Sequence, residues 1–154
     1  IMAIQVGQPA PEFSLFNTNK EQVALSSLRG QKVVLLFFPA AFTGVCTKEL
    51  CSVRDGITDY NNVNARVFGI STDTVFSLGK FKEEQNLNFD LLSDYNKDVT
   101  ALYGASYETF VLGMTGTAKR SAFVIDENGV VKYAEVLESA GDLPNFENIM
   151  SALK

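Results

Sequence analysis

Apolar residues change their period several times along the chain, and each change predicts an element. The segment Ala10–Asn17 (APEFSLFN) reads as a short strand after Pro11, and Val23–Leu25 offers it a partner. Leu28-Arg29-Gly30 ends a small turn or helical corner. Lys32–Phe38 (KVVLLFF) is an unbroken apolar run rich in β-formers, the pattern of a central strand covered on both faces. Pro39 ends it, since proline cannot donate to a sheet ladder. From Thr43 the period becomes helical. Val45, Leu50, Val53 and Ile57 share one face, with Lys48, Glu49, Arg54 and Asp55 offset, which predicts a helix over Thr43–Asn61. Ala65–Thr72 is the next strand. Asp73 or Thr74 caps a helix running through Phe76, Leu78, Phe81 and Gln85. Phe89–Asp94 is extended, and Asp98–Tyr103 is a short helix closed by Gly104. A loop rich in glycine and threonine follows. Ser121–Asp126 and Val130–Val136, joined through Asn128-Gly129, predict a β-hairpin. Gly141–Leu153 carries Leu143, Phe146, Ile149, Met150 and Leu153 at helical spacing.

Strands that alternate with helices, followed by a hairpin and a helix, imply an α/β layer fold. Its sheet is mixed: parallel strands at the centre, antiparallel ones from the hairpin, helices on the flanks. A central strand feeding a helix with cysteine in its first turn is the layout of a thioredoxin-like fold. The 154 residues suit one domain spanning 1–154, with no repeat, low-complexity tract or linker.

Composition narrows the function classes. The 13 basic and 18 acidic residues give a net charge of −5, which argues against nucleic acid or an anionic membrane as partner. The longest apolar run, Val33–Phe42, is too short to span a bilayer. The N-terminal segment lacks the basic-then-apolar pattern of a signal peptide. The expected location is therefore the cytoplasm, where thiols stay reduced. There is no histidine, which removes Ser-His-Asp and Cys-His catalysis. It also leaves two cysteines, a poor zinc set, so neither metal nor cofactor is expected.

Cys46 and Cys51 are the only cysteines. Cys46 falls in the first turn of the predicted helix. Unpaired backbone amides and the positive end of the helix dipole favour a thiolate there. Pro39 is placed to shield the sulfur, and the Thr43 hydroxyl to hydrogen-bond near it. The plainer reading is a small buried residue of the core.

PAAFTGVC (Pro39–Cys46) matches the Pro-x-x-x-Thr-x-x-Cys signature of peroxiredoxins. APEFSL, GISTD (Gly69–Asp73), FDLLSD (Phe89–Asp94) and RSAFVID (Arg120–Asp126) resemble peroxiredoxin segments in the same order. The resemblance runs from Val6 to the C-terminal helix. It implies a thiol peroxidase in which Cys46 attacks a peroxide oxygen and becomes sulfenic acid. Thr43 would orient the peroxide, and Pro39 would screen the site. Arg120 would stabilise negative charge on the sulfur and at the breaking O–O bond. Lys119 is the alternative cation. Glu49 resembles a glutamate of related sequences but reads equally as a solvated helix face, and is not counted as catalytic.

Cys51 stays open between two roles. On a helix, five residues span about 7.5 Å of rise and about 140° of rotation, so a Cys46–Cys51 bond requires unwinding. The peroxiredoxin Q or BCP group uses a resolving cysteine at this offset. The AhpE-like one-cysteine group, which PAAFTGVC and the hairpin also resemble, does not. The other role is packing beside Leu50 and Val53. The resemblance further implies a thiol reductant (thioredoxin, glutaredoxin or a small thiol) and a homodimer, with the loop Tyr103–Phe110 as its candidate contact. Two rival functions remain. A thiol–disulfide oxidoreductase would want Cys-x-x-Cys, where this chain has Glu49. A redox-sensing binding module would be oxidised without turnover.

Overall fold

Strand β3 (Lys32–Phe37) organises the molecule. In the computed structural model, which describes residues 4–154, it lies between β4 (Ala65–Ser71) and β6 (Ser121–Ile125) in a seven-stranded sheet. The first three residues of the N-terminal segment lie outside the described part. The sheet order is β2-β1-β5-β4-β3-β6-β7, with β1 at Ser14–Asn17, β2 at Gln22–Ala24, β5 at Asp90–Ser93 and β7 at Val131–Val136. β3, β4 and β5 are parallel; β1, β2, β6 and β7 pair antiparallel with their neighbours. This is the expected mixed sheet.

The apolar run of β3 is continuous because both its faces are covered. Val34, Leu36 and Phe38 face one core with α1 (Gly44–Asp55), α2 (Ile57–Asn62), α3 (Val75–Glu84) and α5 (Phe146–Leu153). Val33, Leu35 and Phe37 face the other, with Phe13, Leu25, Phe68, Tyr103 and Phe123 beneath α4 (Asp98–Leu102) and the N-terminal segments. Each fully buried side chain of this kind contributes about 1.5–3 kcal/mol, so β3 is the strand whose loss the fold tolerates least. Gly69 lets the first layer close. A Cβ there would stand 2.7 Å from Leu91 Cδ2 and 3.2 Å from Phe38 Cε1.

Several boundaries differ from the sequence reading. The helix expected over Thr43–Asn61 is two, because it breaks at Gly56, whose N–H turns back to the Ser52 and Val53 carbonyls. Of the two candidate caps before α3 it is Thr74 that accepts from Ser77 N. The helix expected from Gly141 starts at Phe146, after the Asn145 side chain caps Asn148 N. The hairpin forms as expected, with Asp126 Oδ1 accepting from Asn128 N and Val130 N and Gly129 at φ +81°.

Candidate active site

The chain leaves β3 at Phe37 and reaches α1 through a short loop held at three points. Phe38 N donates to Ile70 O (2.9 Å), and Pro39 is buried. Ala41 N donates to Asp73 Oδ2 (2.9 Å), the same oxygen that accepts from Ser71 Oγ (2.7 Å). Phe42 sits at φ +66°, a region a bulky residue occupies at a cost of about 1–3 kcal/mol. Its ring packs edge-on against Phe81, with centroids 5.2 Å apart. The Asp73 bond and this ring contact hold the turn that delivers Thr43 to the start of α1.

Cys46 is the third residue of α1, with 1% of its surface exposed. Thr43 makes no side-chain cap, so the first-turn amides are not spent on its oxygen. Its hydroxyl donates instead to Ala40 O at 2.7 Å. Arg120, immediately before β6, reaches over the end of the sheet to α1. Its Nη2 donates to Cys46 Sγ (3.3 Å) and to Ala140 O (2.9 Å), and its Nη1 to Glu49 Oε1 (2.6 Å). Arg120 and Glu49 are 1% and 0% exposed. β3 pairs with β6 through Phe37 and Ser121, so the sheet register itself brings Arg120 beside the start of α1.

An ion pair removed from water leaves a large desolvation cost against its Coulomb gain. Burial pushes the Glu49 carboxyl up to about 7, against the pull of Arg120. Burial also works against the charge of Arg120, but the Glu49 and Cys46 side chains outweigh it and hold the guanidinium above its ordinary value. Arg120 is therefore the fixed charge of the site.

The structure brings Cys46 and Arg120 into contact, with Pro39 and Thr43 on the loop leading to them. It does not place the Thr43 hydroxyl on the sulfur. Lys119 turns away, to Glu138 Oε1 (2.7 Å). Cys51 is half-buried against the helix-side core, its thiol donating to Gln85 Oε1 at 3.4 Å, and both cysteines are free. Glu49 is no solvated face. Helix periodicity already put it one turn from Cys46, but the offset of its charged neighbours placed it outward. Tyr103 is fully buried, its hydroxyl donating to Pro11 O (2.6 Å), so it cannot serve a partner surface. Asp73 and the Ala140 carbonyl were not legible as site groups. One was read only as a helix cap; the other is a backbone atom.

A cleft of about 550 Å³, lined by Phe16, Thr74, Phe76 and Tyr95 among others, contains none of these groups. Among the described residues no cluster of three or more histidine, cysteine or acidic side chains is disposed to hold a metal, and no helix is long and apolar enough to cross a membrane.

Comparisons with known proteins converge. The AhpC/TSA family matches residues 6–134. A putative peroxiredoxin bcp of Coxiella burnetii is 40% identical over 131 residues, covering 84% of this chain and 87% of that protein. Peroxiredoxin Bcp of Escherichia coli is 37% identical over 131 residues, 84% of each chain. The crystal structure of peroxidoxin BcpB from Mycobacterium tuberculosis superposes with a TM-score of 0.86 at 34% identity, over 97% of this chain and 96% of that one.

The Asp73 bond predicts a measurable loop equilibrium. A hydrogen bond to a charged group contributes about 1.5–3 kcal/mol, so Asp73→Ala should open the Pro39–Thr43 loop about tenfold or more often. Labelling of Cys46 by a maleimide, followed by peptide mass, should accelerate accordingly, with Cys51 unaffected. Equal Cys46 rates in both proteins would remove Asp73 from the account.

Proposed function

The chain belongs to the AhpC/TSA family of peroxiredoxins, and from that premise we propose that Cys46 is the residue that attacks the peroxide and Arg120 the residue that stabilises its charge. The protein is a thiol-dependent peroxidase with a thioredoxin-like fold. Peroxides are its substrates, and thiols restore it. The observation that carries the residue assignment is the 3.3 Å contact from Arg120 Nη2 to Cys46 Sγ, made between two side chains that are each 1% exposed. The sulfur's electron pair forms the S–O bond, the O–O bond breaks, and the leaving oxygen departs with the O–O bonding pair and takes up a proton to become water or an alcohol. Sulfur is oxidised to sulfenic acid by two electrons.

In this reading Pro39 closes the site from the β3 side and Thr43 orients the peroxide. The Thr43 hydroxyl is pinned to Ala40 O by its proton, which leaves its lone pairs facing outward as acceptors for a peroxide O–H. Cys51 is the resolving cysteine: its thiol attacks the sulfenic acid, water leaves, and a disulfide forms within the chain. The five-residue offset of Cys51 from Cys46, which resembles that of the peroxiredoxin Q or BCP group, favours this over a one-cysteine cycle. Since α1 is unbroken from Gly44 to Asp55, its first turns must unwind for the sulfurs to meet. The contact of Cys51 with Gln85 favours the second reading, a packing residue and a one-cysteine cycle. A disulfide product suits thioredoxin as reductant, and a sulfenic acid that persists suits glutaredoxin or a small thiol. A dithiol–disulfide exchanger would need its second thiol where Glu49 stands.

Two free thiols suit a reducing cytoplasm, where we place the protein. We also place a homodimer contact on the exposed apolar residues Val111, Leu112 and Met114, in the segment after Phe110. Sedimentation should show a dimer at micromolar concentration; monomer alone would reject it.

One equivalent of hydrogen peroxide, with intact mass and a sulfenic-acid trap, tests the cycle. A loss of two hydrogens with a Cys46–Cys51 link in the peptide map is expected. Trapped sulfenic acid at Cys46 with Cys51 untouched establishes the one-cysteine cycle, and oxidation at Cys51 alone contradicts both readings. Thr43→Val should lower kcat/KM for peroxide by about 100-fold, the range of one lost transition-state hydrogen bond. An unchanged value would remove Thr43 from the chemistry.

A further inference from the structure

Arg120 serves two acids at once. Cys46 and Glu49 lie one turn apart on the same face of α1, and Nη2 and Nη1 of the guanidinium reach one each, at 3.3 Å and 2.6 Å. All three side chains are buried, and the site has one cation for two potential anions. The groups facing Glu49 from the packed elements are few. Cys46 shares its helix, Arg120 comes from the start of β6, and Tyr60 from α2 has a phenol pushed up by burial, by Asp59 and by Glu49 itself. Glu49 Oε2 and Arg120 Nε find no hydrogen-bond partner among the described residues. A second negative charge would therefore sit in a low-dielectric space with nothing to neutralise it.

The catalytic cycle changes which group holds that anion. In the proposed cycle the attacking sulfur is a thiolate and the product a neutral sulfenic acid. We propose that Glu49 is a positioning residue acting through Arg120: it carries a proton while Cys46 is a thiolate and releases it, becoming the counter-ion of Arg120, when peroxide oxidises the sulfur. The inference rests on the reading of Cys46 given above. The balance closes. The thiolate gives two electrons to the peroxide, the S–O bond forms and the O–O bond breaks. The leaving hydroxide or alkoxide takes one proton, and Glu49 gives up one. Net charge around Arg120 is unchanged, so the guanidinium stays in place through the step. Reduction to the thiolate returns the proton to Glu49. Burial, against the pull of Arg120, sets the Glu49 carboxyl at about 7, so it ionises above neutrality beside a neutral sulfur, while a neighbouring thiolate, as a like charge, favours its protonated form.

Infrared difference spectroscopy reads this directly. The Cys51→Ser protein, which stops at sulfenic acid, is oxidised with one equivalent of hydrogen peroxide at about pH 8, above the value of about 7 set by burial and Arg120. The expected result is loss of one carbonyl stretch of a protonated carboxylic acid. That band moves on 13C labelling of the glutamates and is absent from the Glu49→Gln protein. The labelled band does not depend on the variant folding. Parallel peptide mass separates the two ideas. A gain of one oxygen at Cys46 with the carboxylic band unchanged overturns the role of Glu49 and leaves the peroxidase reading intact. No oxygen at Cys46 overturns both.

Discussion

The buried guanidinium of Arg120 is the constraint on which this site depends. One side chain joins the start of α1, through Cys46 and Glu49, to the loop after β7, through the Ala140 carbonyl. It comes from the residue before β6, the neighbour of the central strand, so its position follows from the register of the sheet. A lone cation in that place would be expelled. It persists because its donors meet a carboxyl, a sulfur and a carbonyl. Burial sets its chemical value too, since a charge acts far more strongly where water is excluded than at a surface.

Around that charge the scaffold holds a less comfortable segment. Proline stops β3, Phe42 turns through a left-handed conformation, and Thr43 begins a helix without capping it. Each departs from local preference, and each is offset from outside: Pro39 by burial, Phe42 by Phe81, the loop backbone by Asp73. Rigid strands on two sides carry a turn that is costly in itself. That is the division of labour expected where a reactive side chain must be presented at the end of a sheet.

Much of this was legible in the residues. The run Lys32–Phe38 announced a strand covered on both faces, Asn128-Gly129 the hairpin, and the change of period at Thr43 a helix with Cys46 in its first turn. Arg120 was legible by resemblance. What was not legible depends on the third dimension. Glu49 has charged neighbours on its helix, and periodicity alone turns it outward; it faces inward because Arg120 waits there. The break at Gly56 was hidden by apolar spacing that continues through Ile57. Asp73 looked like one of two caps, and only the loop passing over it gives its carboxylate another use. Tyr103 looked like a loop aromatic, yet a stack of Phe13, Phe37 and Phe123 encloses it.

The central claim is that Arg120, by its forked geometry as well as its charge, sets the reactivity of Cys46. The direct measurement is the rate of Cys46 oxidation by hydrogen peroxide after rapid mixing, in the native protein and in Arg120→Lys. Lysine keeps a positive charge but cannot bridge three acceptors with a planar fork. The account predicts a fall of about 100-fold or more with far-UV circular dichroism unchanged. A rate within about twofold of native would contradict it, since one unit of charge anywhere in the cavity would then suffice.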